Sequence, residues 1–156
     1  MITPLNSLQL SKLLYKDKHS RKHFRGILAR GKVPKAINKF PSFYILNTDY
    51  YWKKGIHWIV IGFFKDYTLW FDSFGLSPIL YNFPFIVQQK GKLLLQNTLQ
   101  LQSSNSSACG YYCVYIIYFL CREKPLSEIL QHFSKSNKNW NDKYVYNFVK
   151  NLAKNE

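Results

Sequence analysis

Gly55 to Phe64, GIHWIVIGFF, and Tyr67 to Gly75, YTLWFDSFG, are two β-rich runs separated only by Lys65-Asp66, the pattern of a β-hairpin. The two-residue period puts His57, Ile59, Ile61 and Phe63 on one face of the first strand and Thr68, Trp70, Asp72 and Phe74 on one face of the second. If Phe64 pairs with Tyr67, residue 57 falls opposite residue 74 and diagonal to residue 72. Diagonal Cβ atoms lie about 7–8 Å apart, a gap that an imidazole and a carboxylate close by leaning together. The hairpin alone therefore predicts a polar His57–Asp72 cluster among apolar neighbours.

Outward from the hairpin, Phe43 to Asn47 reads as a preceding strand and Leu8 to Leu14 as a short helix. Ser20 to Lys39, punctuated by Gly26, Gly31 and Pro34, reads as irregular. After the hairpin, Pro78 to Pro84 breaks into a loop, Pro84 to Gln89 forms a short helix, and Leu93 to Leu95 and Thr98 to Gln102 are strands. Ser103 to Ser107 is a polar loop. Ala108 to Leu120 is then a helical run nearly devoid of polar residues, which belongs at the centre of a fold. Leu126 to Phe133 is a short helix with Pro125 or Ser127 at its start. A last helix begins near Asn141 or Asp142 and buries Tyr144, Val145, Phe148, Val149 and Leu152. With no repeats, heptads or Gly/Ser linker, the 156 residues are expected to form a single domain, 1–156. The expected class is α+β, a small mixed sheet packed against a central helix.

The composition narrows the functional classes. Twelve Tyr, 12 Phe and 4 Trp make 18% of the chain aromatic, so rings build much of the core. The longest apolar run, Tyr111 to Cys121, is too short for a bilayer, and the reading is of a protein without a membrane partner. No signal-peptide pattern opens the chain, and three cysteines do not make a disulfide framework, so a reducing compartment is expected. Asn105-Ser106-Ser107 is accordingly read as a chance glycosylation match. Lys and Arg outnumber Asp and Glu 22 to 8, a formal charge of +14 that favours polyanionic partners. The bases concentrate in Lys12, Lys16, Lys18, Arg21, Lys22, Arg25, Arg30, Lys32, Lys35 and Lys39, against one acid, Asp17. This stretch is either a DNA-contacting surface or the solvated face of a generally basic protein.

Chemistry gathers at Cys109, where a polar loop meets the most apolar helix. Unpaired N–H groups and the positive end of the helix dipole there favour a thiolate. Gly110 suits a close approach by a substrate chain. His57 lies among apolar residues, where an unpaired polar ring is costly, and Asp72 is similarly enclosed. A carboxylate accepting the imidazole N–H satisfies both and presents the other nitrogen to a thiol. On residue chemistry alone, a catalytic pair and a purely structural pair stay equally open. Cys113 and Cys121 read as core residues. The i,i+4 pair His19 and His23 lacks a third ligand, so no metal site is expected, and no phosphate-binding loop appears.

The ordered set GIHW around His57, DSFG from Asp72 and QSSNSSACG from Gln102 to Gly110 resembles the adenovirus protease (adenain) family of cysteine peptidases. The resemblance runs over roughly residues 40 to 121 and extends to members in other double-stranded DNA viruses, virophages and virus-like transposable elements. It implies an α+β cysteine-peptidase fold shared distantly with the peptidases of ubiquitin-like proteins. It also implies His57 as base, Asp72 as orienting acid, Cys109 as nucleophile within Asn-x-x-Ala-Cys-Gly, and Gln102 as oxyanion-hole donor. Two departures stand out. Adenoviral members carry glutamate where this chain has Asp72, and they are activated by a peptide disulfide-bonded to a cysteine where this chain has Gly91.

The resemblance further implies cleavage of viral capsid or core precursor proteins during particle maturation, stimulated by DNA or a peptide activator. Its expected setting is a viral factory in the host cytoplasm or nucleus, with packaging in the virion. Two other readings remain: a deconjugating peptidase for ubiquitin-like proteins, and a non-enzymatic basic nucleic-acid-binding protein.

Overall fold

The computed structural model describes residues 1–32, 34, 37–49, 57–83 and 92–155. Five strands form one mixed sheet in chain order: β1 (Phe24–Leu28), β2 (Ser42–Asn47), β3 (Trp58–Phe63), β4 (Tyr67–Phe71) and β5 (Leu93–Gln96). The inner strands run antiparallel, while β1 and β5 lie parallel to β2 and β4 at the edges. Among the described residues the α-helices are α1 (Ser7–Lys16), α2 (Cys109–Leu120), α3 (Leu126–Leu130) and α4 (Lys138–Lys154). This is the expected α+β architecture, a small mixed sheet packed on a central helix.

The hairpin has the register read from its sequence. Phe63 faces Thr68, Ile61 faces Trp70 and Val60 faces Phe71, and Phe64 N–H donates to the Tyr67 carbonyl at 2.9 Å. Regular pairing begins at Trp58 and ends at Phe71, so His57 and Asp72 sit just beyond the ladder at the same end. Alternation divides the sheet between two cores. Val60, Leu69 and Phe71 join Phe43 and Ile45 on the face that packs against α2. Ile59, Ile61, Phe63 and Trp70 join Leu46 and Phe83 in a smaller cluster on the other face.

Helix α2 is buried on all sides from Cys109 to Ile117, which explains its unbroken apolar sequence. Its Tyr115 ring contacts Phe119 and Phe148 with centroids 4.8 and 5.0 Å away and meets Phe133 and Tyr144 edge-on. Each such contact adds about 0.5–1.5 kcal/mol beyond area burial. Gly110 lies where the N-terminal segment crosses α2. A Cβ there would come within 3.2 Å of Leu5 and 3.3 Å of Leu10, so the chain's own packing fills the space expected to receive a substrate.

Several sequence readings are corrected. The basic stretch is not wholly irregular, because Phe24–Leu28 forms edge strand β1. A register shift between Phe24 and Gly26, with Gly26 at φ 137°, interrupts the alternation that would have revealed it. Thr98 to Gln102 is no strand; Leu101 and Gln102 both turn their N–H groups to the Ser73 carbonyl. Helix α4 starts earlier than expected because Asn137 caps Trp140 N–H at 3.0 Å, giving it a polar first turn. Pro125 rather than Ser127 occupies the N-cap position of α3. The Pro78 to Pro84 loop contains a 3-10 turn, Pro78–Tyr81, which ends at left-handed Asn82. The start of the first hairpin run, Gly55-Ile56, and the expected Pro84 to Gln89 helix lie outside the described residues. Among the described residues no helix is long and apolar enough to cross a membrane.

Candidate active site

Several chain segments end together at one edge of the sheet. His57 enters β3, Asp72 leaves β4, Asn97 follows β5, and Cys109 opens α2. His57 Nε2 and Asp72 Oδ1 are 2.6 Å apart, with the carboxylate fully buried and His57 only 6% exposed. The predicted diagonal thus closes into a direct hydrogen bond.

Asp72 is tightly held. Its Oδ1 also accepts Phe74 N–H at 3.0 Å, while Oδ2 accepts Leu76 N–H at 3.1 Å and the Tyr81 hydroxyl at 2.7 Å. Asn97 brackets the same residue's main chain, accepting from Asp72 N–H at 3.0 Å and donating to its carbonyl at 2.6 Å. Burial alone would raise the carboxyl pKa, but the bond to His57, the imidazolium charge and the other donors bring it below the ordinary value. Burial likewise disfavours the imidazolium, yet the Asp72 bond and then Cys109 outweigh it and push His57 up to about 9. Phe74 stacks on the ring with centroids 4.7 Å apart.

Since Asp72 occupies Nε2, the remaining ring nitrogen is Nδ1. This nitrogen is buried and has no hydrogen-bond partner among the described residues. Cys109 is near enough to raise the imidazole pKa, although its sulfur does not meet hydrogen-bond geometry at Nδ1. The thiol begins α2 after Ala108, which supplies no side-chain cap to the first-turn amides. All three cysteines are free and buried, but their settings differ. Burial pushes the Cys113 thiol well above its usual range and Cys121 up to about 12, which keeps both protonated. Of the three, only Cys109 neighbours the His57 ring.

Gln102 is buried and reaches the residue after Asp72. Its Oε1 accepts the Ser73 hydroxyl at 2.5 Å, and its Nε2 donates to the carbonyl and hydroxyl oxygens of Ser106 at 2.9 and 3.1 Å. The amide is therefore oriented by both the Asp72 turn and the loop before Cys109. Tyr81, Asn97 and Ser73 were missed by sequence reasoning. Tyr81 lies in a segment with no periodicity, whereas Asn97 was within reach of register: Trp70 faces Gln96 across the parallel β4–β5 pair, which puts Asn97 level with the end of β4.

The basic stretch divides in two. Lys12, Lys16, Lys18, Arg21, Lys22, Lys32 and Lys39 are exposed on α1 and the segments around β1. Arg25 instead donates to Ser42 Oγ at 3.1 Å. Arg30 turns inward to the carbonyls of Thr48, Tyr81 and Asn82 and lies over the Phe83 ring, so it braces the segment that carries Tyr81. Lys35 and Gly91 lie outside the described residues. The one acid of the stretch, Asp17, pairs with Arg122 at 2.7 Å; burial opposes its charge, but Arg122 and Ser20 hold its pKa down to about 2.

A mixed sheet packs on a helix that opens with cysteine, with a buried His57–Asp72 pair at the same end, and two viral proteases are similar to this chain. A protease of Bovine adenovirus 4 is 30% identical over 112 residues, covering 61% of this chain and 51% of that protein. The chain thus spans about half the length of the relative it matches. A crystal structure of the ASFV pS273R protease is similar with TM-score 0.47 and 22% identity, over 70% of this chain and 43% of that one. No protein-family model matches the chain.

Proposed function

We propose that this chain is a viral cysteine endopeptidase with Cys109 as nucleophile, His57 as base and acid, and Asp72 as its orienting carboxylate. The observation that carries this reading is the buried 2.6 Å His57–Asp72 bond, which leaves Nδ1 unpartnered beside Cys109. His57 takes the thiol proton, or already holds it in a preformed thiolate–imidazolium pair, and the thiolate attacks a peptide carbonyl. The C–N bond breaks as His57 returns that proton to the leaving amine; water then hydrolyses the thioester and regenerates the thiol. The developing oxyanion meets the Cys109 N–H and the Gln102 amide, a donor type worth about 3 kcal/mol when desolvated. In this structure the Gln102 amide already donates to Ser106, so the substrate oxygen must draw one N–H away from that loop.

The substrates we propose are viral capsid or core precursors cut during particle maturation, in a viral factory of the host cytoplasm or nucleus and in the virion. The exposed lysines of the Lys12 to Lys39 stretch favour DNA as the stimulating polyanion. Among the described residues, the three free cysteines are buried at Cys109 or beyond it in the chain, which disfavours a disulfide-linked peptide activator.

A glycine-directed, thiol-reactive peptide probe tests the assignment. Selective labelling at Cys109 that disappears in His57→Ala is the expected result. An inert Cys109 in folded protein with DNA added would leave a non-enzymatic binding protein. Offering viral precursors beside ubiquitin-like conjugates then separates endopeptidase from deconjugase.

A further inference from the structure

Two adjacent residues of α4, Asn141 and Asp142, are buried although polar, with exposures of 0% and 4%. Neither belongs to the apolar stripe of that helix, and burying them unpaired would be costly. Both point at the main chain on either side of Gln102. Asn141 Nδ2 donates to the Leu101 carbonyl at 3.1 Å and to the Ser134 carbonyl at 2.9 Å, while its Oδ1 accepts Ser134 N–H at 2.8 Å. Both Asp142 oxygens receive Ser103 N–H at 3.4 Å. Tyr112, one turn into α2 from Cys109, donates its hydroxyl to Asp142 Oδ1 at 2.7 Å and lies 3.2 Å from the Leu101 carbonyl.

We infer that Asp142, with Asn141 and Tyr112, is a positioning clamp that sets Gln102 for its part in the reaction, an inference that rests on the peptidase reading. Without the clamp, residues 101–103 would be held by the Ser73 carbonyl, which receives the Leu101 and Gln102 N–H groups, by Gln100 Nε2 on the Gln102 carbonyl, and by the Gln102 side-chain bonds to Ser73 and Ser106. The clamp also ties Gln102 to the helix that carries Cys109, because Tyr112 and Cys109 both lie in α2. Nucleophile and oxyanion donor are thereby referred to one rigid element, which geometric precision at the reacting carbonyl requires. Burial raises the Asp142 pKa, and the Tyr112, Ser106 and Ser103 donors offset only part of that rise. A carboxylate suits this place because it accepts several bonds and donates none.

Asp142→Asn tests the clamp, because it keeps the shape while turning one acceptor into a donor. The chain is assayed for kcat and KM on a glycine-containing peptide and, separately, for alkylation of Cys109 by iodoacetamide, which needs no oxyanion hole. We expect kcat to fall roughly tenfold while KM and alkylation stay within about twofold. In a Gln102→Ala background the same substitution should cost less than about twofold, since coupled residues do not add. Tyr112→Phe retains the ring and guards against a misfolded first variant; it should lower kcat about threefold. Equal losses with and without Gln102, or a parallel fall in alkylation, would mean general damage to the fold and overturn the clamp. If Gln102→Ala leaves kcat intact, the clamp has nothing to position and falls too. If wild-type Cys109 shows no His57-dependent alkylation, the peptidase reading itself has failed, taking the clamp with it.

Discussion

Asp72→Asn is the most informative single change at this site. The carboxylate accepts from His57 and Phe74 on one oxygen and from Leu76 and Tyr81 on the other. An amide must set its NH₂ against one of these pairs. Facing Leu76 and Tyr81, it leaves the Leu76 N–H unpaired, at a cost of about 1–3 kcal/mol. Facing His57, it forces the ring proton onto Nδ1, where the base should be free. Either way the imidazolium loses its main support. His57 is held to about pH 9 against an ordinary 6.5, a preference of about 3 kcal/mol for the charged ring. A raised pKa means that the charged form prevails below it and is lost as pH rises through it. With a pKa returned to 6.5, the charged fraction at pH 7.5 falls from about 97% to about 9%, with burial pushing it lower and the neighbouring Cys109 holding it up. Titration of the His57 ring by NMR, alongside the pH profile of kcat/KM, measures this directly. Wild type should keep activity up to about pH 9, whereas the variant should lose its alkaline limb from about pH 6.5. An unmoved His57 titration in a folded Asp72→Asn variant would refute the reasoning.

Three further outcomes are expected. Tyr81→Phe removes the 2.7 Å bond to Asp72 but leaves the two backbone donors, so kcat/KM should drop several-fold and stability by about 1 kcal/mol in urea melts. Gly75→Ala should destabilise by at least about 1–3 kcal/mol, seen as a lower Tm, because residue 75 has φ 74° and a Cβ would meet the Thr98 carbonyl oxygen at 2.8 Å. Reversing Lys12, Lys16, Lys18 and Lys22 to Glu should weaken DNA binding and flatten its salt dependence while sparing cleavage of a small peptide; unchanged binding would remove this surface from consideration.

The parts of the site legible in the sequence were those fixed by local periodicity. Lys65-Asp66 between two alternating runs sets the register, and the register alone brings His57 to Asp72. The apolar run after Ala108 likewise announces a buried helix with Cys109 at its mouth. What escaped were polar residues whose partners lie far along the chain. Tyr81 reaches Asp72 from a 3-10 turn, and Asn141 reaches Leu101 across 40 residues. Nothing in the local spacing of either marks the contact. Arg30 shows the same blindness in reverse: its charge suggested a surface role, but its guanidinium satisfies carbonyls inside the fold.

The hairpin origin of the base pair has a consequence for timing. His57 and Asp72 are 15 residues apart, so a closing hairpin, an event of about 1–10 μs, brings them near each other early, and Tyr81 and Asn97 fix Asp72 once the later segments pack. Cys109 follows on a helix that gains its place only by burial between sheet and flanking helices. Until that helix docks, the His57–Asp72 pair has no thiol beside it. On the peptidase reading, reactivity is therefore a late property, acquired when α2 docks and surrendered first if α2 lifts away.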